Sequence, residues 1–138
     1  MSMSSLRNFI MIAISLLAGL SPLLAADLNA PVLTGTTAEG TRVEIYSDLN
    51  PLVINRIHTW HIRILDAQGA YLPAQLNLSG GMPEHDHGMP TAPQITGQLE
   101  NGDYLLEGMR FHMPGAWQLL IELIIDDTAQ TAVIDFNL

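Results

Sequence analysis

The chain has 138 residues, a formal net charge of −9 at neutral pH and no cysteine. That length holds one ordinary domain once a targeting segment is set aside, and the missing cysteines remove disulfides, thiolate metal ligands and redox thiols from consideration. All 14 acidic residues lie beyond Ala26, where Arg42, Arg56, Arg63 and Arg110 are the only basic ones, so nucleic acid is excluded as a partner and anionic headgroups are disfavoured.

In chain order, Arg7 precedes an apolar run from Phe9 to Leu20, followed by Ser21-Pro22 and the small pair Ala25-Ala26. This profile predicts a signal peptide over residues 1–26 and a periplasmic or secreted domain over 27–138. The run is shorter than the roughly 20 residues a spanning helix needs, is interrupted by Ser15 and Gly19, and meets the helix breaker Pro22. Cleavage after Ala25 or Ala26 is expected. An uncleaved anchor is the alternative, because leucine occupies the −3 position for either cut, and contact with a membrane is expected only in that case. A lipid anchor on an N-terminal cysteine is excluded.

Beyond Pro31 short apolar runs alternate with turn residues, which predicts an all-β domain. Arg42–Ser47 reads as a strand. Arg56–Asp66 is the clearest one, with His58, Trp60, Ile62 and Ile64 on one face and Thr59, His61 and Arg63 on the other. A turn at Asp66-Ala67-Gln68-Gly69 ends it. Ala74–Leu78 is a further strand that Gly80-Gly81 is expected to break. Met82–Pro93, rich in proline, reads as a structured loop or irregular edge strand. Asn101-Gly102-Asp103 is a turn before a strand over Tyr104–Met109, and Pro114-Gly115 is another break. The run Trp117–Ile125 fits a well-covered strand, with a short helix as the alternative. Ala132–Leu138 reads as the last strand, with Ile134 and Phe136 inward. About seven strands in roughly 110 residues predict a small immunoglobulin-like antiparallel β-sandwich.

Four methionines follow Ala26, namely Met82, Met89, Met109 and Met113, and each lies within a few residues of a histidine. The tightest group is Met82-Pro83-Glu84-His85-Asp86-His87-Gly88-Met89-Pro90. If that piece is extended, His85, His87 and Met89 project from one side. Imidazole and thioether donors suit Cu(I), and imidazole also accepts Cu(II), whereas zinc sites are usually built from Cys, His and carboxylate. Met109-Arg110-Phe111-His112-Met113-Pro114-Gly115 is a second segment able to complete a site if the fold brings the two together. Against this stand ordinary packing roles. Methionines fill core gaps, so Met113 fits a core position as well as a ligand, and Met109 reads as core. His58 beside Trp60 reads as a buried, hydrogen-bonded histidine, and His61 as a solvated one. Glu84 and Asp86 would orient the neighbouring imidazoles or remain solvated.

Trp60, Asp66-Ala67-Gln68-Gly69, Met82-Pro83-x-His85-x-His87-Gly88, Pro93, Gly102-Asp103-Tyr104 and Phe111-x-Met113-Pro114-Gly115-x-Trp117 together resemble the YtkA-like domain family, grouped with FixH-like proteins. The resemblance spans roughly Thr41 to Ile125. It implies a secreted or membrane-tethered immunoglobulin-type sandwich concerned with envelope copper handling or, in the FixH branch, with cytochrome oxidase maturation. Carried over, it implies His85 and His87 as ligands with Met82, Met89 and Met113 as sulfur donors, and His112 as a further candidate. The lack of a retained anchor departs from the oxidase-assembly branch.

These readings lead to an expectation of a non-catalytic periplasmic copper-binding protein that sequesters the metal or delivers it to an envelope metalloprotein or oxidase-assembly partner. The alternative is an envelope interaction module with no metal. No small-molecule substrate is evident. The Gly-x-Ser-x-Gly elbow, the phosphate-cradling glycine loop and His-Glu-x-x-His spacing are all missing, which argues against hydrolytic chemistry.

Overall fold

Period-two alternation dominates residues 30–138, the portion that the computed structural model describes; the expected signal peptide over residues 1–26 lies outside the described residues. The strands are β1 (Leu33–Thr36), β2 (Arg42–Ser47), β3 (His58–Leu65), β4 (Gln75–Met82), β5 (His87–Gly88), β6 (Gln94–Gln98), β7 (Tyr104–Met109), β8 (Ala116–Ile125) and β9 (Thr128–Asn137). They form two antiparallel sheets, ordered β1-β2-β3-β7-β6 and β5-β4-β8-β9. Their inner faces make one core, so the domain is the expected β-sandwich. No helix among the described residues is long and apolar enough to cross a membrane.

Alternation fixes which face each strand buries. In β3, His58, Trp60, Ile62 and Ile64 point inward and are buried; in β8, Trp117, Leu119, Ile121, Leu123 and Ile125 do the same. Each such aliphatic or aromatic side chain contributes about 1.5–3 kcal/mol relative to exposure. The helix alternative for Trp117–Ile125 is thereby removed. One correction concerns its other face, where Leu120 and Ile124 are 36% and 44% exposed rather than covered.

Three local features differ from the sequence reading. Gly80-Gly81 does not break β4, which runs on to Met82. A Cβ on Gly80 would sit 2.7 Å from the Gln118 carbonyl oxygen and 2.8 Å from Leu119 Cδ2, so glycine serves close strand approach there. Strands β1 and β6 were not anticipated; β1 carries Gly35 where a Cβ would lie 2.6 Å from Ile134 Cγ1. The last strand starts at Thr128, because Asp126 and Asp127 adopt φ of 46° and 61° and close a two-residue hairpin with β8.

On the outer face of the five-stranded sheet, Arg63 makes a bidentate pair with Asp103, at 2.8 Å from Nε to Oδ1 and 3.0 Å from Nη2 to Oδ2. Its guanidinium stacks over the Tyr46 ring at 4.7 Å and the Tyr71 ring at 5.4 Å. Burial pushes the Asp103 carboxyl up, but hydrogen bonds from Arg63, Asn101 and Tyr71 outweigh it and hold the group below the usual carboxylate range. Burial and the hydrogen bond that Tyr46 donates to Glu44 push the Tyr46 hydroxyl up to about 12.

The strand ends set up the site. His58 at the start of β3 pairs with Met109 at the end of β7, Gly81 near the end of β4 pairs with Gln118 near the start of β8, and Ala116 pairs with Asn137 at the end of β9. Thr91 donates to the Gly108 carbonyl and holds the Met89 segment at the same pole. All four methionines of the domain and four of its five histidines therefore gather at one end of the sandwich. His61 stands apart, opposite Tyr46 on the outer face.

Candidate metal centre

The first segment does not stay extended after Met82. Pro83 opens a single 3-10 turn over Pro83–His85, and Asp86 closes it in the left-handed region with φ 53°, its N–H donating to the Pro83 carbonyl at 3.3 Å. The chain then re-enters the sheet as β5, pairing His87 with Met82 and Gly88 with Gly81. This geometry replaces the simple projection of His85, His87 and Met89 from one side of a strand. The turn instead stacks the rings of His85 and His87, with centroids 5.9 Å apart and planes 26° from parallel. A glycine is obligatory at position 81, since a Cβ there would fall onto the His87 carbonyl oxygen and within 3.0 Å of Gly88 Cα.

The second segment folds over the pole in the space between β7 and β8. Phe111 inserts into the core and is fully buried. Trp117 Nε1–H donates to the Met113 carbonyl at 3.0 Å, and Gly115, at φ 121°, exchanges backbone hydrogen bonds with Leu138 at 2.8 and 3.1 Å. A Cβ on Gly115 would lie 3.1 Å from the Met82 thiomethyl carbon, so that methyl sits directly beneath this loop.

The two segments converge. The His87 and His112 ring centroids are 5.0 Å apart, and both rings meet the buried Trp117 edge-on, at 6.3 and 5.7 Å. His85 is exposed, whereas His87 and His112 are half-buried. His87 also lines a shallow groove with Gly80, Gly81, Asp86 and Gln118.

Hydrogen bonding fixes which nitrogen is free on His87. Its Nδ1 lies 3.0 Å from the Gly88 carbonyl, which can only accept, so Nδ1 carries the proton and Nε2 holds a lone pair. That Nε2 is buried and has no partner; neither has the buried Nδ1 of His112. Unpartnered buried nitrogens on adjacent imidazoles are uncommon outside binding sites, because each forgoes a hydrogen bond with water. Among the described residues no three His, Cys, Asp or Glu side chains come together as a metal-binding group. The two rings brought nearest one another there are those of His87 and His112.

The methionines divide by depth. Met82 and Met109 are fully buried members of the core, 1% and 0% exposed, while Met89 and Met113 are half-buried and pack against it. Met82 is thus a core side chain whose methyl reaches the rim, and Met109 takes the core position expected of it. The acidic neighbours Glu84 and Asp86 are exposed.

An antiparallel sandwich with a histidine rim over a methionine-rich pole is the class that fold and site define. The sequence model of the YtkA-like family matches residues 36–122, more than half of the chain, and the protein belongs to that family. No curated protein sequence matches it. Among solved structures it is similar to FetP of uropathogenic Escherichia coli strain F11, in the as-isolated form expressed in the periplasm, with 8% identity and a TM-score of 0.48 over 78% of this chain and 94% of that one.

Proposed function

We propose that this protein binds copper at the rim formed by His85, His87 and His112, and sequesters it or hands it to an envelope metalloprotein, without catalysis of its own. The observation that carries this reading is the pair of buried, unpartnered nitrogens, His87 Nε2 and His112 Nδ1, on rings 5.0 Å apart. Their donor chemistry fits the metal. Imidazole with nearby thioether favours Cu(I) over zinc, whose sites usually combine imidazole with thiolate or carboxylate rather than thioether, and over calcium and magnesium, which take oxygen ligands. Met113 follows His112 directly and Met89 lies two residues beyond His87, and both are half-buried, so they are the sulfur donors best able to join without unpacking the core, whereas Met82 would have to leave it. His85, exposed and stacked on His87, suits a ligand that first captures the ion. A half-open rim favours transfer over permanent storage.

An anaerobic Cu(I) titration against a competing chromogenic chelator tests the reading, run beside a His87→Ala/His112→Ala variant of verified fold. The variant is expected to bind one equivalent fewer than the wild-type chain. Equal competition by both chains, or none by either, would remove the rim from consideration and favour an envelope docking module.

A further inference from the structure

Apart from the rim histidines, His58 also has a buried ring nitrogen without a partner. We propose that His58 Nε2 and the thioether of Met109 form an inner site for a soft monovalent cation, Cu(I) in the envelope, separate from the rim. It uses none of the rim residues and shares with that reading only the premise that this pole handles a soft ion.

His58 is 3% exposed, and its Nδ1 lies 3.1 Å from the Arg56 carbonyl. A carbonyl only accepts, so Nδ1 carries the proton and Nε2 keeps a lone pair directed into the protein. No donor meets that lone pair. The nearest candidate by position, the indole N–H of Trp60, is itself buried without a partner, so the two groups do not satisfy one another. A metal-binding histidine has this arrangement, with one ring nitrogen held by a backbone carbonyl and the other left bare.

The second donor comes from strand pairing. Met109 stands directly opposite His58 across the β3–β7 ladder, and both side chains point into the core, Met109 with no exposed surface. Directly opposed residues on one face of a sheet are immediate neighbours. Trp60 and Phe111 wall the place off, their ring centroids 5.7 and 5.8 Å from that of His58. No carboxylate belongs to this group, and the aromatic walls exclude the water that a hard cation would retain. A nitrogen and a thioether in a dry pocket select a soft ion. Phe111 links the two levels, because its ring also meets Trp117 at 5.0 Å, and Trp117 borders the rim.

Ag(I), a redox-inert probe for Cu(I), tests the proposal in the full-length chain carrying His85→Ala, His87→Ala and His112→Ala. Binding is followed by imidazole nitrogen and methionine methyl NMR. The expected result is one retained equivalent that shifts His58 Nε2 and the Met109 methyl while His58 Nδ1 stays in place. Adding Met109→Leu, which conserves volume, is expected to weaken this binding at least about tenfold with the native spectrum kept. Unmoved His58 and Met109 signals at saturating Ag(I), or unchanged affinity in the Met109→Leu variant, would overturn the inner site. If the triple variant does not fold, Met109→Leu in the otherwise wild-type chain decides instead: loss of one of two equivalents supports the site, and no loss refutes it. Shifts of His87 and His112 in the wild-type chain report on the rim separately, so failure at one level is distinguishable from failure at the other.

Discussion

Replacing Gly81 with alanine would test whether the β4–β5 pairing is what positions His87. The new Cβ would land on the His87 carbonyl oxygen, 3.0 Å from Gly88 Cα and 3.1 Å from the His87 carbonyl carbon. All three are backbone atoms, so no rotamer change relieves the contact. Carbon and oxygen need about 3.3 Å between them, so β5 must move outward by roughly 1 Å or detach. Losing the short ladder costs about 1–2 kcal/mol at roughly 1 kcal/mol per hydrogen bond, or a fall in Tm of about 5–8 °C for a domain of this size. The core beneath, from Trp60 to Leu123, is untouched, so the domain still folds. His87 moves with its strand, and its ring leaves the neighbourhood of His112 that the 5.0 Å separation defines. Displacement of a ligand's support typically weakens metal binding by about 10–100-fold. Thermal unfolding followed by circular dichroism reads the first effect and Ag(I) competition the second. An unchanged Tm would refute the packing argument. A lowered Tm with affinity unchanged would show that β4–β5 pairing does not hold the His87 nitrogen in place.

Other outcomes follow from the same geometry. Asp103 has its pKa lowered in the folded state, so its contribution to stability is complete above the unfolded value near 3.9 and is lost as pH falls through the lower folded value; acid titration of the unfolding free energy should show this loss, and Asp103→Asn should remove it. That variant also leaves Arg63 without its counter-charge and should cost about 3 kcal/mol by urea denaturation, the lower end of the range for breaking a buried pair because Arg63 retains 26% side-chain exposure. Trp117 borders both rim histidines, so Cu(II) at the rim should quench tryptophan emission in the wild-type chain and leave it unchanged in the His87→Ala/His112→Ala variant. Tyr104 Oη accepts from the Ala74 N–H at 2.9 Å and donates to the Ala74 carbonyl at 2.8 Å, joining the two sheets; Tyr104→Phe should cost about 1–3 kcal/mol, measured by chemical denaturation, and an effect within error would show that water replaces the hydroxyl without loss.

Local pattern determined much of this molecule. The alternation from His58 to Ile64 and from Trp117 to Ile125 specified strands and their buried faces, because a period of two leaves a strand only one way to bury its apolar side. The company of methionine and histidine marked both loops of the pole, since donor chemistry is carried by residue type. The motifs around His85 and Phe111 pointed to the YtkA-like family. What the sequence left open depends on partners distant in the chain. Gly80-Gly81 looked like a break, but its meaning is the close approach of Gln118 and His87, backbone supplied by other strands. β1 and β6 are short and weakly apolar, and exist because β2 and β7 offer them ladders. Asp126-Asp127 lacks the glycine that usually flags a tight hairpin. Most consequentially, the pairing of His87 with His112, and the tautomers that leave His87 Nε2 and His58 Nε2 bare, follow from which carbonyls lie within reach. Residue type decides what a side chain is able to bind; only the tertiary structure decides which of its atoms remains free to do so.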